Sequence, residues 1–261
     1  RGPLSETTKT IISKSRAGTR LAAAPFGVDH SVVAFLDVRH TTEGDMIQAF
    51  VALDEKDPVR LSDDGAGATT MRLLERGDRA IALYLDTRTA MVPIHARPLS
   101  LRGADLALGN DVVVHVGGAP ERGIDFAAAA VTATKAFAFV PMPRDTMDFG
   151  MAAIPIEEPP KEDVPAIWSK YPNGIDPAPI GAAPGRDGKS AWIVRKRPRE
   201  KAVGSPRILE IGRVDAAGLF TTFGEMAVAR NVTDIALVED TSGGVWILYG
   251  DSTITWLERR I

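Results

Sequence analysis

Apolar and polar positions alternate in short runs along the chain, and the runs recur. Val32-Val33-Ala34-Phe35-Leu36, Ile81-Ala82-Leu83-Tyr84-Leu85, Ala136-Phe137-Ala138-Phe139-Val140, Ala191-Trp192-Ile193-Val194 and Val245-Trp246-Ile247-Leu248-Tyr249 each carry an aromatic residue. From Phe35 through Tyr84, Phe139, Trp192 and Trp246 the steps are 49, 55, 53 and 54 residues. A fixed period of this length is the mark of a repeat architecture. A turn signal precedes each run: Gly27-Val28-Asp29, Gly77-Asp78, Thr132-Ala133-Thr134, Asp187-Gly188 and Ser242-Gly243-Gly244. Extended segments are expected before these turns, over 20–26, 70–74, 124–131, 178–182 and 233–238. Others are expected after the runs, over 46–53, 91–99, 149–156, 207–214 and 252–257. Every unit therefore predicts at least three strands, with a fourth over 59–62, 112–116 and 219–223. Phe126 to Ala130 favours helix on propensity alone. The β-branched Val131, Thr132 and Thr134 that follow lean to strand, and small side chains suit crowded inner strands, so this segment is expected to be extended.

Short antiparallel strands in groups of four, repeated about every fifty residues, resemble the blades of a β-propeller across essentially the whole chain. The resemblance implies an all-β, five-bladed β-propeller with four-stranded antiparallel blades assembled from residues 1–64, 65–118, 119–174, 175–228 and 229–261. The last unit stops after its third strand, while an orphan strand-like stretch, Thr8 to Ser13, precedes the first. Pairing the two would close the ring and hide its open edges. A β-sandwich with evenly spaced strands is the competing architecture, and further sequence before Arg1 would allow six or seven blades. No named propeller family fits. The Gly-His and Trp-Asp pairs of WD40 repeats do not recur. Asp187 and Trp192 have the separation of a sialidase-type Asp box, but Lys189 and Ala191 stand where its glycine and threonine belong.

The whole chain, 1–261, is expected to be one propeller domain with an irregular insertion over about 155–184, where eight of the eighteen prolines fall. Proline removes a ladder donor, and long irregular insertions are where functional groups tend to sit.

Composition narrows the function classes. Of 261 residues, 44% are apolar and 25% charged, as in ordinary folded proteins. The 31 basic and 34 acidic side chains give a net charge of −3, so no global field favours nucleic acid or anionic lipid. Uncharged stretches such as 241–250 are about half the ~18 residues of a membrane span. Without cysteine there are no disulfides, thiolate metal sites or cysteine nucleophiles. An all-β repeat chain that starts at Arg1 suits a secreted or periplasmic protein, with a cytoplasmic fragment as the alternative.

Motifs for nucleophilic or phosphate chemistry are missing: neither Gly-x-Ser-x-Gly nor a phosphate-binding glycine loop occurs. Asp148-Phe149-Gly150 stands without any other kinase segment. Four histidines, His30, His40, His95 and His115, offer no converging metal set. His30 and His40 flank one strand and lie roughly 30 Å apart if it is straight. No metal or cofactor is expected.

Carboxylates are the main catalytic candidates, because glycoside hydrolysis needs two of them roughly 5 to 10 Å apart. Asp29, Asp125, Asp187 and Glu239 fall at the ends of innermost strands. Each also sits beside a turn, where such residues bind their own backbone. The repeated Leu36-Asp37-Val38-Arg39 and Leu85-Asp86-Thr87-Arg88 suggest an Asp–Arg pair bridging a neighbouring strand or blade.

Between Arg186 and Arg207 eight basic residues face only Asp187 and Glu200. Arg195, Lys196 and Arg197 at its centre, with Trp168 and Tyr171 in the proline-rich insertion, are the expected partner contacts. The leading expectation is a non-catalytic binding module for a protein or carbohydrate partner, with contacts from rim loops. A glycosidase-like hydrolase with carboxylates in the axial funnel, or a structural subunit of a larger assembly, are the alternatives.

Overall fold

The computed structural model describes residues 21–42, 44–63, 67–76, 78–88, 92–115, 126–143, 149–157, 167–170, 181–198, 207–228, 232, 234–250 and 255–260. Among these residues twenty strands form five antiparallel sheets. Sheet 1 contains β1 (Leu21–Phe26), β2 (His30–Thr41), β3 (Gly44–Leu53) and β4 (Val59–Arg60) in that order. Sheet 2 contains β5 (Ala68–Arg76), β6 (Arg79–Asp86), β7 (Ile94–Arg102) and β8 (Asp105–Leu108), with β9 (Val112–His115) also paired to β7. Sheet 3 runs β10 (Ala127–Ala130), β11 (Ala136–Pro143), β12 (Phe149–Pro155) and β13 (Ile167–Lys170). Sheet 4 runs β14 (Gly181–Pro184), β15 (Ser190–Pro198), β16 (Arg207–Asp215) and β17 (Phe220–Val228). Sheet 5 has three strands among the described residues, β18 (Asp234–Glu239), β19 (Val245–Gly250) and β20 (Thr255–Arg260).

Successive sheets stack face to face because β6, β11 and β15 bury both of their faces. In β6, Ala80, Ala82 and Tyr84 pack toward sheet 1, while Leu83 and Leu85 pack toward sheet 3. In β15, Ala191 and Ile193 face sheet 3, and Trp192 and Val194 face sheet 5. Four such clusters, one per sheet junction, make up most of the core. The innermost strands lie side by side in the order β1, β5, β10, β14, β18. β18 and β1 do not pack on each other as these four consecutive pairs do.

Close approach along this row explains its composition. Ala127 and Ala129 of β10 point to sheet 4 and Ala128 to sheet 2, so burial on both sides overrides alanine's helix propensity. Gly181 opens β14 where a Cβ would come within 2.4 Å of Ile235 of β18. No side chain fits there without displacement.

Four details depart from the sequence reading. The fourth strand of the second unit, expected over 112–116, is the pair β8 and β9, which share β7. Part of the proline-rich stretch is regular, since Ile167–Lys170 pairs with β12. The expected strand over 219–223 extends to Val228. The Asp37–Arg39 and Asp86–Arg88 pairs close on themselves, at 3.5 and 3.1 Å, and Arg39 also reaches across to the Phe50 ring of β3 at 4.7 Å. Asp86 also accepts from the Gly67 N–H at 3.1 Å and so ties the entry of β5 to the exit of β6. The orphan segment Thr8 to Ser13 lies outside the described residues.

Candidate functional site

Antiparallel order places the β1–β2, β5–β6, β14–β15 and β18–β19 turns on the same rim as the β3–β4, β7–β8 and β16–β17 turns. Polar links cross each sheet junction on this rim. Lys56 reaches Asp105 and the Ala104 carbonyl across sheets 1 and 2. Arg76 reaches the Ala133 carbonyl and Glu157 across sheets 2 and 3. Lys135 donates to the Ala216 carbonyl at 2.6 Å across sheets 3 and 4, and Glu239 joins sheets 4 and 5.

The first junction contains a cavity of about 590 Å³, lined by Leu53, Glu55, Lys56, Asp57, Val59, Asp105 and Leu106. This is within the size range of small-molecule sites. Its shape depends on the loop between β3 and β4. Asp54 begins that loop with a φ of 50°, in the left-handed region where aspartate is enriched. The Asp54 N–H donates to the Ser31 carbonyl at 2.9 Å, and its carboxylate accepts the Ser31 N–H at 2.8 Å. The His30 Nδ1 lies 2.6 Å from the other carboxylate oxygen. The Ser31 N–H, and then the His30 ring, hold the Asp54 carboxyl below the usual aspartate range. A second backbone bond, from the Lys56 N–H to the Leu53 carbonyl at 3.0 Å, closes the turn.

Thus fixed, the loop presents Glu55, Lys56 and Asp57 toward the β7–β8 turn. The Lys56 Nζ is 2.8 Å from Asp105. That hydrogen bond and the ammonium charge hold the Asp105 carboxyl below its ordinary value. Leu53, Val59 and Leu106 supply the apolar part of the cavity's lining. Carboxylate acceptors above an apolar patch can bind vicinal hydroxyls while receiving the C–H face of a sugar ring.

The carboxylates expected from the sequence are differently engaged. Asp29 is exposed in the β1–β2 turn, and Asp125 lies outside the described residues. Asp187 and Glu239 are brought together by one guanidinium. Arg213 lies 3.4 Å from Asp187 and 3.2 Å from Glu239, and stacks 4.4 Å above the Trp192 ring. Glu239 also accepts from the Arg186 N–H at 2.8 Å and the Trp192 Nε1–H at 2.9 Å. Partial burial pushes the Asp187 carboxyl up, but bonds from Lys189 and Ser190 and the Arg213 charge outweigh it and hold it low. Both carboxylates therefore act as anionic acceptors in a junction between sheets 4 and 5.

Arg195 is buried rather than on the rim. Its Nε is 2.7 Å from Glu210, and its guanidinium lies 4.1 Å above the Phe220 ring. It packs sheet 4 internally, on the face toward sheet 3. Lys196 and Arg197 lie in β15 opposite Leu209 and Ile208, and Trp168 lies in β13 opposite Ala152; their side chains are outside the described set. Tyr171 is outside the described residues.

Two features escaped the sequence reading. The run Asp54-Glu55-Lys56-Asp57-Pro58 is a turn by composition, and its closeness to Asp105 depends on stacking of sheets 1 and 2. His95, which the sequence offered only as one of four scattered histidines, is stacked on Tyr84 with ring centres 4.9 Å apart and lies 2.7 Å from Asp111. Burial, then the Asp111 charge, push the Tyr84 phenol above its usual range.

The face-to-face row of antiparallel sheets, with innermost strands side by side, is that of the β-propeller class. No protein-family model matches the chain, and no curated protein matches it. Among solved structures it is similar to the six-bladed fucose-recognising lectin of the fungus Aleuria aurantia, at 11% identity over 95% of this chain and 80% of that one, with a TM-score of 0.46. It is also similar to the NanB sialidase of Streptococcus pneumoniae, at 12% identity over 83% of this chain and 35% of that one, with a TM-score of 0.49. An exo-1,5-alpha-L-arabinanase from a bovine ruminal metagenomic library matches at 10% identity over 92% and 91%, with a TM-score of 0.45.

Proposed function

We propose that this protein is a non-catalytic β-propeller that binds a glycan in the cavity between sheets 1 and 2. The observation that carries the reading is the cavity of about 590 Å³, lined by the apolar Leu53, Val59 and Leu106 together with Glu55, Asp57 and Asp105. A hydrolase would need a carboxyl group able to donate a proton. Lys56 keeps Asp105 ionised. Of the sequence-derived pair, Asp187 is held low and Glu239 already accepts from Arg186, Trp192 and Arg213. The test is a glycan array followed by titration calorimetry on the wild type and on Asp57→Ala. The expected result is a bound oligosaccharide recovered intact, with affinity reduced about tenfold in the variant. Release of reducing sugar, or equal binding by both proteins, would overturn the reading.

The same proposal includes a closed five-bladed ring, with Thr8 to Ser13 as the fourth strand of sheet 5. Two observations support it. Sheet 5 has three strands among the described residues, where the other sheets have four or five. Residues 14–20 would make a connection of 7 residues, between the 5 of 229–233 and the 11 of 116–126 that join other outer and inner strands.

A further inference from the structure

We draw no further inference here: the strongest candidate, the side-chain cluster of Tyr84, His95 and Asp111 on the face of sheet 2 toward sheet 1, has its described hydrogen bonds closed within itself, and nothing in the structure shows what it would bind.

Discussion

Asp54 and Ser31 bind each other through both of their backbone N–H groups, and the Ser31 hydroxyl adds a third bond to the carboxylate at 3.3 Å. The Asp54 N–H donates to the Ser31 carbonyl at 2.9 Å, and the Ser31 N–H donates to the Asp54 carboxylate at 2.8 Å. This reciprocal pair ties the β3–β4 loop to the β1–β2 hairpin. Every residue that the loop contributes to the cavity follows within five positions. Asp54→Ala removes the carboxylate from Ser31 and His30 and leaves a left-handed backbone that alanine tolerates poorly. The expected loss is about 1 kcal/mol of stability, allowing for solvent exposure. A larger proportional loss of glycan affinity should accompany it. Urea titration and calorimetry on one preparation check both.

The same carboxylate sets an acid limit. Its folded pKa lies below its unfolded one, so its contribution is complete above the ordinary aspartate range, near pH 4. That contribution is lost as pH falls through the folded value. Thermal midpoints of the wild type and Asp54→Ala should differ at about pH 5 and converge in stronger acid. A gap that widened further below about pH 4 would contradict the role given to Asp54.

Glu239 separates a structural from a catalytic reading of the sequence-derived carboxylates. Glu239→Ala leaves the Arg213 guanidinium, the Trp192 Nε1–H and the Arg186 N–H short of an acceptor. A loss of about 2 kcal/mol is expected, since a largely buried charge pair is broken from one side. Glycan affinity at the distant first junction should stay at the wild-type value. Chemical denaturation and calorimetry provide the measurement.

Gly181 tests the close stacking of the innermost strands. Gly181→Ala forces a Cβ against Ile235 and should cost about 1–3 kcal/mol. Adding Ile235→Ala should recover part of that loss despite removing apolar volume. A double-mutant cycle in guanidinium measures the coupling.

The natural absence of cysteine makes ring closure directly testable. Ile11→Cys with Trp256→Cys should form a disulfide on oxidation, visible as faster migration on a non-reducing gel. Either cysteine alone should have no such effect. Failure to cross-link in a folded double variant would contradict closure by Thr8 to Ser13.

Much of the fold was legible because period-two alternation is local. The aromatic runs containing Phe35, Tyr84, Phe139, Trp192 and Trp246 all fall in second strands, β2, β6, β11, β15 and β19. The turns before them were equally readable from glycine and aspartate. Arg195 was misplaced because a charged run reads as solvent-facing. Alternation instead turns this side chain onto Glu210 and Phe220 inside the sheet stack. Strand β13 was hidden by the prolines around it. The cavity was invisible for a different reason: Asp57 and Asp105 are 48 positions apart, and only the stacking of sheets 1 and 2 brings their loops to one rim.

The central claim is that the cavity at the first sheet junction is the glycan site. Its most direct test is calorimetric titration of the array-selected oligosaccharide into the wild type, Asp57→Ala, and Glu239→Ala as a control for the distant junction. The account expects one site per chain, about tenfold weaker binding for Asp57→Ala, and unchanged affinity for Glu239→Ala. Unchanged affinity in Asp57→Ala, with the loss appearing in Glu239→Ala instead, would contradict it.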